Sequence, residues 1–139
     1  MKLRVIAIGK LKMKPLIELV RDYSTRIPHY MPFEMCVAKS EAAVKSDHDD
    51  FLVVCDEHGD ETTSKGLADF LAHHIRAGTK RLTFFIGDAP GVSKELKARS
   101  RATLSLSKMT FPHELARVIL LEQLYRACTI LRGEKYHYE

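Results

Sequence analysis

The segment from His113 to Arg132 carries apolar side chains at Leu115, Ala116, Val118, Ile119, Leu120, Leu121, Leu124, Tyr125, Ala127, Cys128, Ile130 and Leu131. These cover most of a helix's circumference and leave a polar strip made chiefly of Glu122, Arg126 and Thr129. No other stretch constrains the fold as strongly. A helix of this kind at the edge of a small protein must meet a second surface, and an identical subunit supplies one most simply. The pattern therefore predicts a homodimer with this helix in its interface; the alternative is a core helix lying between two layers of one chain. Pro112 suits the first turn, Glu114 its positive end, Glu122 and Arg126 form an i,i+4 pair, and Gly133 is placed to stop the helix.

The remainder alternates short apolar runs with helical periodicity. Strands are expected at Leu3 to Ile8, Phe33 to Ala38, Phe51 to Cys55, Leu82 to Ile86 and Thr103 to Ser107, mostly too continuous to have a wet face. Helices are expected at Pro15 to Ile27, with Leu16, Leu19, Val20, Tyr23 and Ile27 on one stripe, at Ser64 to Arg76, and at Ser93 to Ser100. The order β-α-β-β-α-β-α-β-α predicts an α/β fold with a mostly parallel sheet. Lys39 to Asp50 is polar and holds at most a brief helix. With 139 residues, the chain suits a single domain over 1–139. No run approaches the roughly 18 apolar residues of a membrane span, so a soluble cytoplasmic protein with no membrane partner is expected. Cys36, Cys55 and Cys128 are odd in number and widely spaced, which suggests neither disulfides nor a metal site. The net charge of +4 permits a polyanionic partner without requiring one.

Chemistry has three candidate locations. Ile86-Gly87-Asp88-Ala89-Pro90-Gly91 leaves a buried strand into a tight turn, which reads equally as a structural turn or as a ligand loop at the carboxyl end of the sheet, where α/β proteins bind ligands. Val53 to Asp60 leaves another strand into a charged loop, which reads as half of a pocket or as a solvated turn. The tail Arg132 to Glu139 carries Tyr136, His137 and Tyr138 directly after the apolar helix: either an aromatic tail packed onto the fold, the simpler reading, or rings for stacking on unpaired bases and an imidazole that can move a proton, with Arg126 one or two turns back. His48-Asp49-Asp50 is read as a wet loop rather than a metal site, and His73-His74 as helix surface. The dinucleotide, P-loop and nucleophile-elbow signatures are missing, which disfavours a doubly wound nucleotide-binding enzyme and a serine hydrolase.

The run Leu106-Ser107-Lys108-Met109-Thr110-Phe111-Pro112-His113-Glu114-Leu115-Ala116-Arg117-Val118-Ile119-Leu120-Leu121-Glu122-Gln123-Leu124-Tyr125-Arg126-Ala127, closing with Tyr136-His137, resembles the ribosomal RNA large-subunit methyltransferase H family of the SPOUT superfamily. Leu3 to Gly9, Cys55-Asp56 through Gly59, and Ile86-Gly87 with Gly91 match the family elsewhere, so the resemblance spans the whole chain.

The resemblance implies a parallel-sheet α/β knot, a deep trefoil with helices on both faces, and a homodimer through the terminal helix. It implies methyl transfer from S-adenosylmethionine to N3 of a pseudouridine, in a stem-loop of large-subunit ribosomal RNA in the assembled ribosome. The cofactor loops would be Cys55, Gly87 with Asp88, and Ser107, Lys108, Met109, Thr110, Phe111 and Pro112. Arg126, Tyr136 and His137 fall near the methyl acceptor, with His137 expected to take the N3 proton and Arg126 to stabilise charge on the base carbonyls. In a dimer, Lys10, Lys12, Lys14 and Arg132 can combine over one RNA surface. Three positions depart from the family pattern: Asp88 replaces a second glycine, Asp60 stands where a basic residue is common, and Tyr138 where Lys or Arg is usual. They motivate an alternative, a catalytically silent SPOUT-like dimer that binds RNA or ribosomes.

Overall fold

Continuous apolar runs become the inner strands of one parallel sheet. In the computed structural model, which describes residues 1–88 and 91–138, the order is β1 (Lys2–Ile8), α1 (Lys14–Arg26), a 3-10 turn (Ile27–His29), β2 (Phe33–Ala38), a 3-10 turn (Glu41–Ala43), β3 (Asp50–Cys55), α2 (Ser64–Arg76), β4 (Arg81–Ile86), α3 (Lys94–Arg99), β5 (Ala102–Leu104) and α4 (His113–Arg132). The strands lie in the order β2-β1-β4-β3-β5, all paired in parallel. Alternate side chains feed two cores. Leu3, Val5, Val53, Phe84 and Ile86 pack beneath α1, α2 and α4; Ile6, Ile8, Leu52, Val54 and Phe85 pack against Leu96 of α3 and Val44. Helices thus cover both faces, which is why β1, β3 and β4 lack a polar alternation. β2 differs from the expected buried strand because it has a neighbour on one side only, and Val37 is 53% exposed.

α4 has the boundaries its periodicity predicts, but its surroundings differ. It packs between α1 and α2, so Val118, Leu120, Leu121, Leu124, Ala127 and Cys128 are buried by their own chain. The strip left outward reads Leu115, Ile119, Glu122 and Arg126, none of which is buried. Thr129, expected on the polar strip, is buried, its hydroxyl satisfied by donating to the carbonyl of Arg126 at 2.7 Å. Gly133 ends the helix in the left-handed conformation (φ 72°), its N–H donating to Ile130 and that of Glu134 to Thr129.

Other expectations shift as well. Leu19 is 40% exposed rather than part of a buried stripe, and α1 contains no buried residue, Ile27 lying just past its end. β5 stops at Leu104, three residues before the expected Ser107, because the Ser105 hydroxyl reaches the carbonyls of Glu57 and Ser107 and the chain turns away. His74 belongs to the core rather than the helix surface: it is 5% exposed, its ring lies 4.2 Å from that of Phe51, and Nδ1 is 2.7 Å from the Thr79 hydroxyl. Burial pushes its pKa down, helped by the nearby charges of His73 and Arg101. Among the described residues no helix is long and apolar enough to cross a membrane.

Candidate functional site

β3 and β4 are neighbours, with Val54 beside Phe85, so the loops leaving their carboxyl ends must lie side by side. The segment from Leu106 to Ala116 closes the third wall of a cavity of about 480 Å³, a size suited to a small organic ligand. Of the expected cofactor residues, Cys55, Gly87, Asp88, Ser107, Met109, Thr110, Phe111 and Pro112 line it. Lys108 does not; its side chain is 80% exposed and its Nζ lies 3.5 Å from Glu61. The charged loop after β3, for which a solvated turn was the competing reading, forms a cavity wall through Asp56, Glu57 and His58.

Polar bonds knit these walls together. Lys97 of α3 sits 2.7 Å from Asp56 and holds that carboxyl below the usual carboxylate range. The Thr110 hydroxyl donates to Glu57 at 2.6 Å. Ser93 caps α3 by accepting from Leu96 N–H, and its own N–H donates to Glu41 at 3.0 Å, fixing the far end of the Gly87 loop. Lys97 and Glu41 carry no sequence signal, since each acts through a partner distant in the chain. Gly87 permits close approach: a Cβ there would stand 3.2 Å from Val92 Cγ2. Among the described residues no side-chain-bearing position has a positive φ, so Asp88 adds a carboxylate to the wall without straining the backbone. Gly91 (φ 126°) donates its N–H to the Asp88 carbonyl; Ala89 and Pro90, part of the expected turn, lie outside the described residues. Burial pushes the Cys55 thiol up to about 12, which makes it a packing surface rather than a nucleophile.

The tail residues form a second group. Arg126 Nε and Nη2 both donate to Glu122 Oε1, at 2.9 and 2.6 Å, and Tyr136 donates to the same oxygen at 3.1 Å. The guanidinium lies 4.8 Å from the centre of the Tyr136 ring. Arg126 Nη1 is 3.1 Å from His137 Nδ1. A guanidinium only donates, so Nδ1 is the acceptor of this contact. Arg126, Tyr136 and His137 are therefore brought together, with Glu122 as an organiser that sequence reasoning took only for a helix ion pair. They are not brought to the cavity. Ala116 lines the cavity and Arg126 is ten residues further along α4, about 15 Å by helical rise. The cavity and the Arg126 group thus lie toward opposite ends of α4.

A sequence model described as that of a predicted SPOUT methyltransferase matches residues 1–137. The ribosomal RNA large subunit methyltransferase H of Coprothermobacter proteolyticus is 43% identical over 138 residues, covering 99% of both chains. That of Koribacter versatilis is 43% identical over 143 residues, covering 99% of this chain and 98% of its own. Two solved structures share the fold. A probable methylase family protein from Haemophilus influenzae has a TM-score of 0.59 at 11% identity, over 99% of this chain and 70% of that one. The SpoU methyltransferase AviRb from Streptomyces viridochromogenes, in complex with the cofactor AdoMet, has a TM-score of 0.54 at 14% identity, over 95% and 58%.

Proposed function

Because the chain belongs to the SPOUT methyltransferases, grouping there with the ribosomal RNA large subunit methyltransferase H proteins, we propose that it transfers a methyl group from S-adenosylmethionine to large-subunit ribosomal RNA. The observation that carries this reading is the glycine-lined cavity at the carboxyl ends of β3 and β4, built from nearly all the residues the family resemblance assigns to the cofactor. Its residues suit that group. Ile86, Leu106 and Phe111 offer apolar surface to a purine, Gly87 leaves the room a Cβ would take, and Asp56, Glu57 and Asp88 offer carboxylates toward a cationic sulfonium. When bound, S-adenosylmethionine supplies an electrophilic methyl on sulfur.

The acceptor in this reading is N3 of a pseudouridine in a stem-loop of the assembled ribosome. In-line displacement needs alignment more than a strong catalyst, so the three cavity loops do most of the work by placement. Glu122 holds Arg126 by Nε and Nη2 and leaves Nη1 to meet a base carbonyl. As Nη1 moves from His137 Nδ1 to the base, the freed Nδ1 takes the proton that leaves N3. Nitrogen gains a bond to carbon as the sulfur–carbon bond breaks.

Two half-sites about 15 Å apart on one helix cannot meet within a chain without large rearrangement. A second copy solves this. Pairing of two subunits through the outward strip of α4, with Leu115 and Ile119 at its apolar end, lets the tail of one serve the cavity of the other. Family membership further carries the expectation of a trefoil knot in the C-terminal part of the chain. In this reading His137→Ala lowers methyl transfer to ribosomes at least a hundredfold, while calorimetry with S-adenosylmethionine gives the unsubstituted affinity. Mass spectrometry of ribosomal RNA from cells lacking the gene shows one methyl group missing from the large-subunit RNA. Unchanged turnover in the variant sinks the role of His137, and unchanged RNA sinks the assigned activity.

A further inference from the structure

The loop between β1 and α1 is held as firmly as the cavity beside it. Its sequence, Gly9-Lys10-Leu11-Lys12-Met13-Lys14, places three lysines within five residues, and all three are exposed. A flexible basic loop would be unremarkable. This one is bound at both ends by the first turns of α4. Arg117, 1% exposed, donates through Nη2 to the carbonyls of Ile8 and Gly9, both at 2.9 Å. Glu114 Oε1 accepts the N–H groups of Lys12 at 2.5 Å and Met13 at 3.4 Å. Gly9, at φ 80°, makes the turn out of the strand.

Those same turns of α4 line the cavity through His113 and Ala116. β1 also pairs directly with β4, Ala7 beside Ile86, so the lysine loop leaves the sheet next to the Gly87 loop. Among the described residues none of the three ammonium groups has a carboxylate within ion-pair distance, although Glu18 lies one helical turn beyond Lys14 and Glu114 grips the backbone beneath. Exposed ammonium groups on a backbone pinned to the helix that walls the cavity suit an anionic chain. A phosphodiester backbone fits them, because each phosphate taken up releases condensed counterions and the loop loses little entropy on binding.

We propose that the β1–α1 loop is the RNA-docking edge of the cavity, with Lys10, Lys12 and Lys14 taking phosphate oxygens of the strand that carries the acceptor base. This rests on the methyltransferase reading and names the part of the chain that grips its substrate. Arg117 and Glu114 are positioning residues, tying the docking edge to the wall of the cavity.

The test compares the unsubstituted protein with the triple variant Lys10→Ala/Lys12→Ala/Lys14→Ala and with the corresponding triple Arg variant. Methylation of ribosomes from cells lacking the gene is followed over a series of KCl concentrations, and S-adenosylmethionine affinity is read by calorimetry. The Ala variant is expected to raise the KM for ribosomes at least tenfold. It should also flatten the log–log salt dependence by about two units, since each lost phosphate contact removes roughly 0.7 to 0.9. Cofactor affinity should stay within about twofold, and the Arg variant should keep both KM and slope. An unchanged KM and slope overturns the proposal. So does a loss of cofactor affinity equal to the loss of ribosome affinity, which would make the loop part of the cavity wall. Failure of the unsubstituted protein to methylate ribosomes at all is a separate result and counts against the activity itself.

Discussion

Asp50 has no exposed side-chain surface, yet it remains a carboxylate. Burial alone would raise its pKa; the Arg81 hydrogen bonds, the N–H of Asp47 and the charges of Arg4 and Arg81 outweigh that and hold it below the ordinary value. Arg81 binds it through Nε and, at 2.5 Å, through Nη2, while Arg4 Nη2 reaches it at 3.2 Å, so one side chain ties β3 to β4 and β1. A group with a depressed folded pKa adds stability that is fully present above its unfolded pKa of about 3.9, and that is lost as pH falls through the folded value. Urea unfolding at stepped pH should therefore show stability dropping below about pH 4. Asp50→Asn should cost about 3 kcal/mol at pH 7 by stranding two arginines, and should flatten that acid limb. The sequence hid this role. Asp50 stands in a His-Asp-Asp run that reads as a wet loop, and its arginines are 46 and 31 residues away. His74 was hidden likewise, because helical spacing does not reveal that Phe51 and Phe70 enclose its ring.

At the scale of elements, hydrophobic periodicity placed α4 and α2 to the residue and the inner strands to within one. What it could not supply was which neighbours cover α4, since that depends on α1 and α2 flanking the helix. The end of α4 matters most for the tail. Gly133 takes a left-handed conformation in which any Cβ is strained, though open space surrounds it. Gly133→Ala should cost about 1 kcal/mol in chemical denaturation. Because the turn aims Tyr136 and His137 back at Glu122 and Arg126, the variant should also lose methyl transfer while keeping its affinity for S-adenosylmethionine. Loss of cofactor affinity together with activity would mean that the tail and the cavity are not separate units.

For the whole molecule, the legible part of the site was its list of loops, and the illegible part was their arrangement. Glycine and proline after a buried strand announce a turn, but the cavity exists because β3 and β4 are adjacent and Leu106 to Ala116 folds across both. The residues that the resemblance assigns to the cofactor make up less than half of the described lining, and of them only Lys108 lies outside it. Neither source gave the separation of Arg126, Tyr136 and His137 from the cavity, which the straight run of α4 imposes. That separation makes the dimer a requirement of the proposed chemistry rather than a matter of buried area.

The most direct test mixes two damaged subunits. Gly87→Val should block the cavity by pressing on Val92, and His137→Ala should remove the proton acceptor; each variant alone should be inactive on ribosomes. If the tail of one subunit serves the cavity of the other, a mixed dimer holds one intact site, and co-refolding equal amounts restores about a quarter of full activity. A mixture as inactive as its components would place both halves of the site in a single chain and contradict the account.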